Sequence, residues 1–440
     1  MMRSLFSAVS GLKAHQTKMD VIGNNIANVN TVAYKSQSVT FSDVYYQTTQ
    51  TATGPNQTTG KGGTNAKQIG LGSSVGAIST SISSQGASER TDNALDLMIS
   101  GDSFFIVNSA GNTYFTRAGD FTQDTNGALV TQSGANVMGW GVDADGNVVK
   151  DTVQPLYVSS PEFTYTAPAV TTGVTVSGNV DARATSDTTF TINFYDTLGN
   201  EYQATLVLSY DSKDDAAGTT SYNLTGGAVT MNGEPTEVSV SCDTQVTFNT
   251  NTGASMVGNG NLSLTITDNS ADGSGNIANI GVNNGATSTI TLDASGLTMY
   301  ADASDIKSTM GIDGVGAGKA VGKMTAYGID EAGQIVASYS NGDTKIIGQI
   351  AVTTFSNPAG LEKVGNNLYA ATLNSGSFDG IGQDITENDG SITSGYLEMS
   401  NVDLADQFTN MITTQRGYQA NSRIITVSDT LLEELINLKR

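Results

Sequence analysis

The chain has 440 residues, of which only 14% are charged, with 50 glycines against 6 prolines and a net charge of −22 from 42 acidic and 20 basic side chains. That length accommodates two or more domains with sizeable cores, while the acidic surplus argues against nucleic acid or an anionic membrane as partner and keeps the surface soluble. A single cysteine, Cys242, excludes an internal disulfide framework.

No apolar run approaches the ~18 residues of a membrane span. The N-terminus lacks the apolar core and small-residue cleavage site of a secretory signal, so a protein that leaves the cell would use another route.

The N-terminal residues 1–30 carry an apolar repeat of helical spacing. Leu5, Val9, Leu12, Met19 and Ile26 recur at steps of four and three, Gln16 and Gly23 fill the skipped turns, and Ile22 joins them as a candidate contact. This is the seven-residue period of a coiled-coil seam. The side chains of Asn24, Asn25, Asn28, Asn30 and Thr31 favour turns by bonding to nearby backbone, which ends the helix there. Residues 31–70 read as an extended, partly ordered linker, polar and strand-like, without a burial pattern at 51–66.

Alternation returns over 71–154 in short segments at 97–107, 113–115 and 128–131, and again over 319–399, notably at 345–355. Each half carries a turn between apolar pairs, Gly141 to Asn147 and Gly328 to Gln334, as expected of hairpins in one split β-rich domain. Between them, residues 155–318 are richer still in Thr, Ser, Asn and Gly, with strands predicted at 188–195, 202–210, 237–247 and 262–267, and read as an inserted all-β outer domain. The fold class is therefore mainly β with terminal α-helices. At the C-terminus, 400–440, a matching seam runs through Leu404, Phe408, Met411, Tyr418, Ile425, Leu432 and Ile436, interrupted by Gln415, Ser422 and Asp429. Two such helices each need a partner, which is the other terminus, another subunit or the chain's own core. An isolated helix of this length is marginal in water, so order in both stripes is expected to come from packing against such a partner.

The usual catalytic constellations are missing. His15 is the sole histidine, so any Ser-His-Asp or Cys-His site would have to be built around a residue on the first helix. Cys242 alternates within a predicted strand, as a small buried hydrophobe does. The run Gly314 to Lys319 resembles a phosphate loop but begins its spacing at Asp313 and continues with Ala320 where a metal-binding hydroxyl belongs. Asp143-Ala144-Asp145-Gly146 starts like a calcium loop, yet its glycine comes two residues early and Gln154 replaces the bidentate glutamate. No catalytic, cofactor or metal residue is assigned.

Three segments together resemble the bacterial flagellar axial rod and hook protein family. They are Ser10 to Thr31 followed by Tyr34-Lys35; Leu95 to Phe105 with Phe115 to Phe121 and Gly139-Trp140; and Leu397 to Leu404 with Met411 to Asn421. The motif residues carried over are Asn24, Asn25, Asn28, Asn30, Thr31, Ser400, Asn401, Asp403, Gln415, Arg416 and Asn421. Ala33 departs from the family's usual glycine, so the turn there is expected to be less extreme. The resemblance implies a homopolymer whose terminal helices form an inner tubular layer, beneath a β-rich middle layer and an outer insert. It implies a curved hollow hook that transmits torque as a flexible joint, or else a distal rod. It further implies flagellar type III export without signal cleavage, an extracellular location, and distal rod, hook cap and hook-filament junction proteins as partners. No cofactor, nucleic acid or membrane insertion is expected. A secreted β-rich adhesin accounts for the middle of the chain without explaining the matched ends, and a carbohydrate-active enzyme would need converging carboxylates that no spacing singles out.

Overall fold

The computed structural model describes residues 2–55, 60–143, 146–242, 244–256, 261–268 and 287–438. These fall into two compact units, one made of 1–160, 327–336 and 346–440, the other of 161–326 and 337–345.

Helix α1 (Met2–Ala27) opens the first unit and helix α2 (Leu404–Asn437) closes it. The asparagine cluster ends α1 as its chemistry requires, since the Asn28 side chain turns back to donate to the Asn24 carbonyl at 2.9 Å and accepts from the Thr31 hydroxyl at 3.0 Å. Helix α2 begins where Asp403 accepts hydrogen bonds from the Ala405 and Asp406 amides at 2.8 and 3.2 Å, a cap whose loss typically costs about 1 kcal/mol. The two helices pair with each other within one chain, which is one of the partners the sequence leaves open.

Residues 31–70, read as a linker, contribute strands. Gln37–Asp43 pairs antiparallel with Ser73–Thr80, and Tyr46–Gln50 pairs with Lys67–Gly70. In the first ribbon the Ser38–Ser79 and Ser42–Ser74 hydroxyl pairs, at 2.9 and 3.0 Å, line one face while Val39 and Phe41 take the other. The second ribbon, built of Gln and Thr around Tyr46 and Ile69, has no such alternation. Residues 56–59 lie outside the described chain.

The core of the first unit is aromatic. Phe104–Ser109 pairs with Asn112–Thr116 and with Asn136–Trp140, and Gly139-Trp140 pairs in turn with Gln349 and Ile350. Phe104, Ile106, Phe115, Trp140, Phe355 and Tyr369 fill the space beneath, with Phe115 packed edge-on against Phe355 at 4.8 Å. Trp140 is buried and donates its indole N–H to the carbonyls of Asp151 and Ile381.

The second unit is a nine-stranded sheet, eight of whose strands run in the order Thr188–Tyr195, Glu201–Asp214, Thr219–Met231, Glu234–Ser241, Asn261–Asp268, Thr287–Tyr300, Gly173–Asp181, Asp305–Met310. All ladders on this path are antiparallel except Gly173–Asp181 with Thr287–Tyr300, which is parallel. The predicted strand 188–195 coincides with an observed one, while the predicted 237–247 divides into Glu234–Ser241 and Thr244–Asn249. Every second residue, such as Ile192, Phe194, Ala204, Leu206 and Leu264, enters one core, and Cys242 is buried in it. The glycine run 314–318 turns into the strand Ala317–Lys319 and not into a helix, so it lacks the helix N-terminus on which a phosphate would rest. Of the calcium-like loop, residues 144 and 145 lie outside the described chain. Asp143 accepts from the Asn147 amide at 2.8 Å, as in a hairpin turn.

Within the first unit, the segments flanking the two helices are joined by a buried charge cluster. Glu398 receives Lys35 Nζ on one carboxylate oxygen at 2.6 Å and Arg117 Nε on the other at 3.2 Å, and also accepts from the Gly86 amide at 3.0 Å. All three charged side chains are at most 2% exposed. Lys35 donates further to the Ser84 carbonyl, and Arg117 to those of Gly101 and Ser103. Burial pulls the Lys35 pKa below its ordinary value, and Glu398 opposes that shift. Beside it Ala33 donates its amide to the Glu398 carbonyl at 2.7 Å with φ of 54°. The turn is therefore as left-handed as a glycine would make it, contrary to expectation, because the Glu398 carbonyl fixes the backbone there.

Two outcomes follow from these contacts. Glu398→Gln leaves two buried cations without an anion, whereas Lys35→Met leaves the Arg117–Glu398 pair neutral. The glutamate variant should therefore lower the urea midpoint more, by a loss of about 3–5 kcal/mol for an orphaned buried charge, and equal losses would refute the ordering. Ala33→Gly should change stability little, because relief of about 1–2 kcal/mol of left-handed strain is offset by a more flexible unfolded chain. Ala33→Val should be clearly destabilising in the same titration.

Candidate functional site: the terminal helix pair

Helices α1 and α2 run antiparallel. Gly11 lies against Asn421, His15 against Gly417, and the Asn25 amide donates to Gln407 Oε1 at 3.1 Å, so numbers rise along one helix as they fall along the other. The contact is close because it is made of small side chains. A Cβ on Gly11 would stand 2.9 Å from Asn421 Nδ2, and one on Gly417 would stand 2.7 Å from the His15 ring. The buried positions are Ala8, Gly11, Ala14, Ile22 and Asn25 on α1 and Thr414 and Ser428 on α2.

Against the predicted seam, this contact keeps the seven-residue period but turns by one position. Ile22 is buried, and Leu5, Leu12, Met19, Ile26, Met411, Ile425 and Leu432 are half-buried. Val9, Leu404, Phe408, Tyr418 and Ile436 are exposed. Thr414 and Ser428 take the inner places that the period assigned to Gln415 and Asp429, which face outward. Helix axes approach according to the side chains between them, so small residues at the contact leave the large ones outside.

The result is a second apolar face without cover among the described residues. Ile424, Val427, Leu431 and Leu435 follow one another at helical spacing on α2, with Val427 57% exposed, and Met2 and Phe6 on α1 are each about two-thirds exposed. This stripe was present in the sequence as a parallel repeat of the same period, offset from the one chosen. Among the described residues no three His, Cys, Asp or Glu side chains converge as metal ligands.

The motif residues separate into two groups. Asn25, fully buried, both donates to and accepts from the Gln37 backbone, at 2.8 and 2.9 Å, and its oxygen also receives the Tyr34 hydroxyl. Asn24 donates to that same hydroxyl at 3.1 Å. Asn401 accepts from the Ser36 amide and donates to the carbonyls of Ser81 and Ser84, and the Ser400 hydroxyl receives the Val402 amide. With Asn28, Thr31 and Asp403 these groups position the helix ends. Asn30, Gln415 and Arg416 project outward, Arg416 reaching Gln419 at 3.3 Å, while Asn421 lies in the helix contact and donates to the Gly417 carbonyl. Sequence reasoning missed the Lys35–Arg117–Glu398 cluster, although all three residues stood in quoted motifs. Its members are up to 363 positions apart, and no local pattern reports such a pairing.

Known proteins match the same regions. The profile described as Flagella basal body rod protein matches residues 5–35, Flagellar hook protein FlgE/F/G D1 domain matches 98–182, and Flagellar basal body rod FlgEFG protein C-terminal matches 393–438. Flagellar hook protein FlgE of Borreliella burgdorferi is 38% identical over all of both chains, and that of Treponema pallidum 34% over all of both. Flagellar basal-body rod protein FlgG of Bacillus subtilis is 31% identical, again over both full lengths. With identity at these levels along the entire sequence, the chain belongs to the flagellar FlgE/F/G family of hook and rod proteins.

Proposed function

We propose that this chain is a structural subunit of the bacterial flagellar hook, polymerising through its terminal helix pair into a curved hollow tube that transmits torque. The observation that carries the reading is the uncovered apolar face of α2, residues Ile424, Val427, Leu431 and Leu435, beside Met2 and Phe6 of α1. An exposed apolar stripe of this length on a soluble chain needs a partner. Identical subunits joined head to tail through a contact that does not close produce a helical filament.

The seam within one chain buries mostly alanine, glycine, threonine and serine, so the pair is held loosely until neighbouring subunits cover its outer face, which couples helix order to growth. The terminal helices (1–30 and 400–440) line the inner layer, the split β-rich domain (71–154 and 319–399) forms the middle layer and the insert (155–318) the outer one. Val9, Leu404, Phe408 and Ile436, with the polar Gln415 and Arg416, make contacts between subunits. Distal rod, hook cap and hook-filament junction proteins are its partners in the axial structure, and it reaches the cell exterior through the flagellar type III apparatus with its N-terminus uncleaved. A distal rod subunit is the weaker reading, since the hook relatives are 38% and 34% identical against 31% for the rod relative, and electron microscopy separates the two by the shape of the polymer, curved for a hook and straight for a rod.

Three changes on the outer stripe alone, Val427→Ser, Leu431→Ser and Leu435→Ser combined, should abolish sedimentable polymer while leaving the thermal transition of the β-rich units in place. Polymer of normal length from this variant would refute the assignment. Circular dichroism at 222 nm should deepen on assembly of the unaltered chain, and a signal that does not change counts against coupled ordering.

A further inference from the structure

We propose that His15 is a proton-sensitive latch holding α1 to α2 and to the strand Gln37–Asp43. Its imidazole fills a slot that exists because position 417 is glycine: a Cβ there would lie 2.7 Å from Cε1 and 2.8 Å from Nε2. Phe41 closes the slot from the strand side, edge-on at 5.5 Å between ring centroids. Nδ1 is buried in this slot and makes no hydrogen bond. A neutral ring tolerates a bare nitrogen here, but protonation converts Nδ1 into a charged donor with nothing to receive it, and such a group is expensive to keep buried.

The groups around the ring give the cation no compensation. From its own helix the charged neighbour is Lys18, whose ammonium stands over the Phe41 ring at 5.7 Å. From the strand the facing group is Phe41, and from α2 it is the Gly417 backbone, while the nearby Arg416 directs its guanidinium to Gln419. The Ser73–Thr80 strand approaches α1 through Ser73 and Ser10, both uncharged. Burial first, and then Lys18, holds the His15 pKa below its ordinary 6.5. An open helix pair therefore takes up a proton before the closed one does. The stability of the closed seam is intact above pH 6.5 and declines as pH falls from there toward the lowered value. As the only histidine in the chain, His15 is the one side chain whose ordinary pKa falls in this window.

Acidification toward pH 5.5 thus loosens the contact that presents the outer apolar stripe. The latch stands on the seam within one chain, so it can fail while the polymerisation reading survives, and the reverse also holds. The test uses the soluble full-length chain. Hydrogen exchange at the His15 C2 position reports its pKa directly, and amide exchange of peptides from α1 and α2 is followed at pH 7.5 and 5.5, corrected for intrinsic rates. We expect a pKa below 6.5 and a several-fold loss of protection in both helices at the lower pH. His15→Gln should keep its protection constant across the interval. Gly417→Ala, which pushes the ring out of its slot, should return the histidine to its ordinary pKa. A pKa of 6.5 or above in the unaltered chain, helices without protection at pH 7.5, protection that does not change with pH, or the same pH response in His15→Gln would each overturn the latch.

Discussion

The buried carboxylate of Glu398 is the point on which the first unit depends. A charge without water must be matched by partners that are equally dehydrated, and here two cations and a backbone amide meet the two oxygens of one side chain. The requirement dictates more than a local bond. It fixes the segment leaving α1 against the segment entering α2, and brings both to the strand end that carries Arg117. The small-residue seam of the helices then needs little energy of its own, because their bases are already placed. Asn25 and Asn401 perform the same service with neutral groups, saturating backbone donors and acceptors of the chain as it leaves α1.

This division of labour explains the unusual composition of the helices. A pair that had to find its own register would need large interlocking side chains. With its ends anchored, it places mostly glycine, alanine, serine and threonine innermost, beside Ile22, and leaves Ile424, Leu431 and Leu435 on the outer surface. The inner places fall one position before the polar interruptions of the period, at Thr414 and Ser428, while Gln415 and Asp429 face outward.

How much of this was legible depends on whether the signal is local. The terminal helices were, and so were strands such as Thr188–Tyr195, since Leu5 to Ile26 and residues 188–195 carry periods set by backbone geometry alone. The ribbon of Tyr46–Gln50 with Lys67–Gly70 was not, because the polar Gln47, Thr48, Thr49 and Gln50 occupy both faces and erase the period of two. Which stripe of α2 turns inward was also hidden. Two offset apolar repeats, Ile425 with Leu432 and Ile424 with Leu431, coexist there, and packing sets the inward face through the small Thr414 and Ser428. The left-handed backbone at Ala33 shows a third limit. The residue type argued for a relaxed turn, but an amide held by a carbonyl 365 positions away imposes the glycine-like geometry regardless.

Those long separations bear on the order of events when the chain folds. The strands of the nine-stranded sheet find their partners between residues 173 and 310, whereas Lys35 waits for a residue 363 positions downstream, a closure whose entropic cost must be met before any reward arrives. A chain delivered from its N-terminus onward can thus have no finished helix base until nearly all of it has emerged. Until then Lys35 and Arg117 lack the carboxylate that matches their charge.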